Sequence, residues 1–538
     1  MRRRARQAVV VATMTAALLG TITAAPATAA TPGLVRTGAG WLRGAVDDQV
    51  RSYQAIPYAA PPVGGLRWRA PQPVPGWAGV RDATEPGSSC PQPDPWQPGA
   101  VLGDEDCLFV NVTTPVRPAR SRPVLVWLHG GSFTGGAGAD YDPRRLAADG
   151  GIVVVTVNYR LGVLGYLGLP GLAGSGTFGL QDQQAALRWV RRNAAAFGGD
   201  PHNVTVAGQS AGGMSVCSQL TSPSSAGLFD RAIIQSGSCL TNWPDKLFGF
   251  GLPAGSPWSP LAQVQQAGEE AAAALDAGRP GPERCAPGTA PVACLRGMTP
   301  QTLLTATVGD RGTVNSMFDT LAYGTPTLPL LPAEALRRGV FHRVPVLSGS
   351  TRDEHRSFLA FSPPIDALAY RQLLDAAFGA PAGRVADRYP VTDFDSPTAA
   401  WAAVATDRIW ACPTLAGDRL LARHTPVYGY EFTDRDAPPP APWITEPLGA
   451  YHGSELPYLF DMADRSLGDG HRQLAADMID SWAAFAATGR PAAPGAAPWP
   501  RFRSATAEVR TLAPGSGGQR TDLGVEHHCD LWADLATG

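Results

Sequence analysis

The run with the clearest chemistry is Gly208-Gln209-Ser210-Ala211-Gly212, a G-x-S-x-G that follows the apolar stretch NVTVA and precedes the helix-like GGMSVCSQL. A serine hydroxyl becomes a useful nucleophile when a sharp turn exposes it and a neighbouring base takes its proton. Such a strand-to-helix turn is crowded, so its flanks must be small, and Gly208, Ala211 and Gly212 meet that need. Acyl transfer also requires backbone N–H donors aimed at a developing oxyanion. His129-Gly130-Gly131-Ser132-Phe133, directly after LVWL, is composed like a loop that offers them. Gly131 and Ser132 would donate from this side and Ala211 from the other. An ordinary glycine-rich turn competes for both motifs; the strand before and helix after Ser210 favour the nucleophile.

The elements that must position these groups are legible as apolar runs ending in glycine. PVLVWLHGG from Pro123, GIVVVTVNYR from Gly151 and NVTVAGQS from Asn203 read as buried strands. RAIIQSGS from Arg231, VPVLSGS from Val344 and PVYGYEF from Pro426 read the same way. QDQQAALRWVRRNAAAFGG spaces Ala185, Leu187, Trp189 and Val190 as a helix and stops at Gly198 and Gly199. Strand and helix in alternation predict an α/β fold with a mostly parallel central sheet flanked by helices. Pro- and Gly-rich stretches at 91–100, 243–260, 436–443 and 491–500 are expected as loops. None makes an interdomain linker, so residues 31–538 read as one large domain with insertions.

The 538 residues, 44% hydrophobic and 17% charged, exclude a disordered chain. A net charge of -2 gives no footprint for a nucleic-acid binder. Lys246 is the only lysine in a chain rich in Arg, Gly, Pro and Ala, so alanine-rich stretches carry little weight. The N-terminus has a basic MRRRAR, an apolar run from Gln7 to about Ile22 and a small-residue AAPATAA, the three parts of a secretory signal peptide. Its apolar run, broken by Thr13, Thr15 and Thr21, falls short of the ~20 residues a bilayer anchor needs. Cleavage is expected near Ala29 or Ala30. Losing four arginines and no acids takes the charge from -2 to -6. All eight cysteines lie beyond the signal, and an even count in an exported chain predicts disulfides, with the pairing open.

Several ordered segments carry a wider resemblance: PYAAPPVGGLRW at Pro57, EDCLFVNV at Glu105, VWLHGGSFTGG, NYRLGVLGYL at Asn158 and FGGDPHNVTVAGQSAGG at Phe197. GSTRDEHRSF at Gly349, GAYHGSELPYLF at Gly449, SWAAFAATGRP at Ser481 and the terminal HCDLW continue it. Together they resemble the type B carboxylesterases, which include bacterial esterases and cholinesterases. The resemblance implies an α/β-hydrolase fold and ester hydrolysis through a serine, glutamate and histidine triad, without metal or organic cofactor. Ser210 would be the nucleophile, Glu354 in TRDEH the acid and His452 in YHGSE the base. His355 adjoins Glu354 in sequence and is set aside, since neighbouring side chains rarely face each other in triad geometry. His527 and His528 beside Cys529 lack the second ligand pair a metal site needs. The resemblance also implies the disulfides Cys90–Cys107, Cys285–Cys294 and Cys412–Cys529. Cys217 and Cys239 are left as buried thiols or a fourth bond.

Departures from the family pattern bear on substrate. Gln209 stands where relatives usually have glutamate before the nucleophile. Ser357, followed by Phe358, stands where cholinesterase-like relatives hold an aromatic against a quaternary ammonium. Trp96 in the Cys90–Cys107 loop is expected to pack within that loop, or to replace part of the lost platform. Ser132 replaces a third glycine, which a backbone donor tolerates. The resulting expectation is a secreted esterase for uncharged small-molecule esters, with no nucleic-acid partner and no stable membrane insertion. A lipase-like or amide-cleaving hydrolase is the enzymatic alternative; a non-catalytic adhesion module of the same fold is opposed by the presence of all three triad residues.

Overall fold

The computed structural model describes residues 33–537 apart from 118, 120, 278–289, 309–312, 361, 442, 445, 463 and 464. The expected signal peptide, residues 1–30, and Cys285 lie outside the described residues.

The apolar runs build an 11-stranded sheet. In chain order its strands are β1 (Ala45–Val46), β2 (Val50–Pro57), β3 (Phe109–Pro115), β4 (Arg122–Leu128), β5 (Val153–Val157) and β6 (Gly199–Gln209). They continue as β7 (Arg231–Gln235), β8 (Val346–Thr351), β9 (Val427–Phe432), β10 (Glu508–Leu512) and β11 (Arg520–Asp522). Across the sheet the order is β11-β10-β9-β8-β7-β6-β4-β5-β3-β2-β1. Every pairing from β10 to β5 is parallel, and the antiparallel pairs lie toward the two edges.

Period-2 alternation sorts side chains onto the two faces. In β5, Val153, Val155 and Val157 join one core cluster while Val154 joins the other. The first face is covered by α1 (Phe178–Asn193), through Leu187 and Val190, and by α2 (Ala211–Thr221), every residue of which is buried. The second is covered by a long helix, Asp469–Thr488, through Leu474, Met478, Trp482 and Phe485. This is the α/β-hydrolase arrangement. The long insertions fall after β7, β8 and β9, at residues 236–345, 352–426 and 433–507.

Two stretches expected as loops contain short strands. Gln92–Pro93 pairs with Val101–Leu102, and Trp258–Pro260 pairs with Leu321–Tyr323, partners supplied by tertiary contact rather than local pattern. Cys90 is bonded to Cys107 and Cys412 to Cys529. Cys217 of α2 is bonded to Cys239, which ties the helix after Ser210 to the turn after β7. Cys294 is also disulfide-bonded. Among the described residues no helix is long and apolar enough to cross a membrane, and no cluster of His, Cys, Asp and Glu could hold a metal ion.

Candidate active site

The candidate residues gather at the carboxyl ends of β4, β6, β8 and β9, where open α/β sheets form their crevice. Ser210 caps α2 directly after β6, with φ 57° and ψ -126°, a strained backbone for a residue with a side chain. Its N–H donates to the Gln235 carbonyl at 2.9 Å, and its own carbonyl accepts from Met214 N–H at 2.9 Å. The turn leaves no room at its flanks. A Cβ on Gly208 would lie 2.4 Å from the Gly212 carbonyl carbon, and one on Gly212 2.0 Å from the Leu128 carbonyl oxygen.

The loop after β4 turns through three successive positive φ values, 104° at Gly131, 53° at Ser132 and 59° at Phe133. Gly131 and Ser132 are exposed while Phe133 is buried. Among the described residues, the N–H groups of Gly131, Ser132 and Ala211 donate to no protein acceptor. The loop is braced from behind: Tyr159 Oη donates to the His129 carbonyl at 2.7 Å, and the two rings stack at 4.4 Å. His129 is buried, which pulls its pKa down to about 4 and keeps it neutral. From the side, Gln92 of the Cys90–Cys107 loop clamps Gly136, accepting its N–H at 2.7 Å and donating to its carbonyl at 3.1 Å.

Glu354 is fully buried in the turn after β8. One carboxylate oxygen accepts from Thr351 N–H at 2.8 Å; the other lies 2.5 Å from His452 Nδ1. The turns carrying these residues are zipped together, with Asp353 N–H donating to the Ala450 carbonyl at 2.9 Å and His452 N–H to the Glu354 carbonyl at 3.2 Å. Asp353 adds its side chain, accepting from Ala450 N–H at 3.0 Å and from Arg435 at 2.9 and 3.0 Å.

On its other edge, His452 Nε2 faces the Gln209 side-chain amide at 3.1 Å. The imidazole face lies against Trp410, with centroids 4.6 Å apart, and Phe358, at 5.0 Å. Trp410 sits in a π-helical turn, Thr406–Ala411, an irregularity that recurs at functional sites. Trp410 Nε1 donates to His355 Nδ1 at 3.3 Å, and His355 Nε2 lies 3.2 Å from the Phe248 carbonyl. Burial pulls the His355 pKa down to about 3, so this histidine is a neutral wall of the site. Deeper still, Glu455 accepts from Gln235 at 3.1 Å; burial, then the nearby Glu354 charge, pushes its pKa up to about 7.

Ser210, Glu354 and His452, expected from the sequence, lie at these carboxyl ends, and Glu354 and His452 are in contact; Asp353, Arg435, Trp410 and Glu455 were not anticipated as part of the site. Asp353, in TRDEH, and Glu455, three positions past His452 in YHGSE, lay within motifs already quoted; Arg435 and Trp410 did not. Trp96 does not pack within its loop: it is 72% exposed and meets Trp443 edge to face at 5.4 Å. His527 is bound to two carboxylates, Asp407 at 2.5 Å and Glu431 at 2.6 Å.

Comparison with known proteins agrees with this architecture. Para-nitrobenzyl esterase of Bacillus subtilis (strain 168) is 36% identical over 503 residues, covering 89% of this chain and 94% of that protein. Fumonisin B1 esterase of Sphingopyxis macrogoltabida is 34% identical over 89% of this chain and 87% of its own length. Cocaine esterase of Oryctolagus cuniculus is 32% identical over 85% and 86%, respectively. A solved PNB esterase structure superposes with a TM-score of 0.75 at 33% identity, covering 93% of this chain and 100% of that one. Residues 31–532 match the carboxylesterase family, and the chain belongs to it.

Proposed function

We propose that the protein is a secreted serine esterase that hydrolyses uncharged carboxylic esters through an acyl-enzyme. The observation that carries this reading is the 2.5 Å contact of His452 Nδ1 with the buried Glu354 carboxylate, beside a serine held at φ 57°. Glu354 fixes the proton on Nδ1 and leaves the Nε2 lone pair as the base. His452 takes the Ser210 proton as Oγ attacks the ester carbonyl carbon, and returns it to the departing alcohol. The carbonyl oxygen, now an anion, is received by the free N–H groups of Gly131, Ser132 and Ala211. Water then attacks the acyl-enzyme by the same route and frees the acid.

Neutral substrates are favoured by Gln209, which brings no charge to the base, and by Ser357, which offers no aromatic face to a cation. The three relatives are named for esterase activity on para-nitrobenzyl, fumonisin B1 and cocaine substrates, respectively. Export rests on the N-terminal sequence and is supported by the disulfides, which persist in oxidising compartments. A neutral organophosphonate should add to Ser210 alone, and Ser210→Ala should abolish turnover of nitrophenyl esters across a range of acyl lengths. Labelling elsewhere, with Ser210→Ala still active, would overturn the mechanism.

A further inference from the structure

We propose that Gln209 is a positioning residue that caps the base in the free enzyme. Its side-chain N–H occupies the lone pair of His452 Nε2 until the Ser210 proton is passed to that nitrogen. The proposal rests on the roles given above to Ser210 and His452.

The geometry leaves one partner for that lone pair. With Nδ1–H committed to Glu354 at 2.5 Å, the neutral imidazole has a single acceptor site, Nε2, and the Gln209 amide nitrogen stands 3.1 Å from it. The Ser210 side chain makes no cap hydrogen bond to α2, and in the proposed step its hydroxyl and the Gln209 amide compete for one electron pair. Gln209 is 4% exposed, which limits the competition of bulk water for the same contact.

An amide can serve both charge states of the base. While the imidazole is neutral, Gln209 donates an N–H. In the forward step the Oγ–H bond breaks, the proton moves to Nε2, Oγ bonds to the carbonyl carbon, and the carbonyl π pair becomes the oxyanion. Nε2 is then a donor and meets an NH2 group that cannot accept. Turning the amide over presents Oε1 to it instead. Glycines form two sides of the amide, so neither adds a side chain against it: a Cβ on Gly130 would be 3.1 Å from Oε1, and one on Gly453 3.6 Å from Nε2. When the intermediate collapses, the proton leaves with the alcohol and the amide returns. A carboxylate here could only accept, so it could not cap the neutral base.

The ionisable groups around the imidazole are Glu354 on Nδ1, Glu455 below it and His355 behind the Trp410 and Phe358 rings. None of them faces Nε2 in the way Gln209 does, so substitution at 209 isolates that edge.

The test is the second-order rate at which a neutral organophosphonate inactivates the full-length protein, measured against pH for the natural enzyme, Gln209→Met and Gln209→Glu. Methionine keeps the length and removes the donor. Loss of a hydrogen bond to the neutral base should move the acidic limb up by about half to one pH unit in Gln209→Met. The plateau above that limb should rise about two- to tenfold, because the lone pair is open to Ser210. Gln209→Glu should move the limb further up, since it only accepts. A purely structural role would lower the unfolding temperature and leave all three limbs superimposed, which would overturn the proposal; so would a downward shift in Gln209→Met. Should Gln209→Met fail to fold, Gln209→Ala, which also removes the donor without adding charge, decides by the same criterion. Labelling of a residue other than Ser210 in the natural enzyme would instead sink the underlying reading of the nucleophile.

Discussion

Asp353 and Arg435 form a two-pronged ion pair, at 2.9 and 3.0 Å, one residue away from the Glu354–His452 contact. The carboxylate is buried and also accepts the Ala450 N–H at 3.0 Å, so it joins the turn that holds Glu354 to the loop that holds His452. Asp353→Ala should cost about 1–3 kcal/mol of stability by leaving a buried N–H unpaired. It should also lower kcat/KM by about tenfold or more, since misplacement of ~1 Å at a reacting group can cost ~100-fold. Arg435→Met should be milder in both respects, because the Arg435 side chain is 55% exposed and its attraction is screened by water. Urea unfolding and nitrophenyl-ester kinetics on the two variants check this; a destabilised Asp353→Ala with unchanged kcat/KM would make the pair purely structural.

The His527 imidazole makes a second histidine–carboxylate contact, on the π-helical turn that carries Trp410. Asp407 and Glu431 hold it from both sides, and the Cys412–Cys529 bond fixes the chain two residues beyond it. Burial pulls its pKa down, but the two carboxylates more than offset this and push it up from 6.5 to about 10. A raised value means the folded state holds the proton more tightly. The contribution is therefore complete below about pH 6.5, declines above it and is gone once pH passes about 10. Chemical denaturation between pH 6 and 10.5 should show stability falling by several kcal/mol through this window. His527→Gln should be less stable at pH 6 and should flatten that part of the profile. An unchanged slope would place the proton elsewhere.

Glu455 should act in a lower window. Its carboxyl is held up at about 7 against an ordinary 4.5, first by burial and then by the Glu354 charge. One oxygen, Oε2, is buried without a partner. The folded state again favours the protonated form, so the stabilising difference is present below about pH 4.5 and is lost as pH rises through about 7. Glu455→Gln keeps an acceptor for Gln235 and removes the ionisation. The variant should match the natural protein at pH 5 and exceed its thermal midpoint by a few degrees at pH 8. Equal midpoints at both values would mean that Glu455 ionises without penalty.

These three groups also mark where sequence reading stopped. The strands were legible because buried parallel strands are continuous β-branched runs, as in Val153–Val157. The turn at Ser210 was legible because its crowding admits only small neighbours, a constraint written locally in the chain. Asp353 and Arg435 are 82 positions apart, and His527 meets partners 120 and 96 positions away. No local pattern records such pairs. The Cys217–Cys239 bond was open for the same reason: pairing depends on α2 and the turn after β7 meeting in space. Trp410 was hidden differently. Within AVATDRIWACP it reads as a core residue, and the π-helical turn that changes the helical phase around it has no compositional sign.

Trp410 supplies the last prediction. Its ring lies 4.6 Å from the His452 ring, and Phe358, stacked on Trp410 at 5.6 Å, lies 5.0 Å from the same imidazole. An aromatic face attracts a positive charge, and in the proposed mechanism the imidazole is positive only after it has taken the Ser210 proton. The contact is therefore stronger in the transition state than in the free enzyme, which is the condition for raising kcat rather than merely tightening substrate binding. At a largely desolvated site the attraction is worth about 1–2 kcal/mol. Trp410→Leu should thus lower kcat about 5- to 30-fold with little change in KM, whereas Trp410→Phe should retain most of it. The hydrogen bond from Trp410 to His355 complicates Trp410→Leu, since its loss could shift the wall itself. Phe358→Leu separates the two effects: Phe358 makes no such bond, contacts the same imidazole, and should lower kcat in the same direction by a smaller factor. If both leucine variants raised KM at constant kcat, the rings would be binding substrate in the ground state, and their role toward the charged histidine would be ruled out.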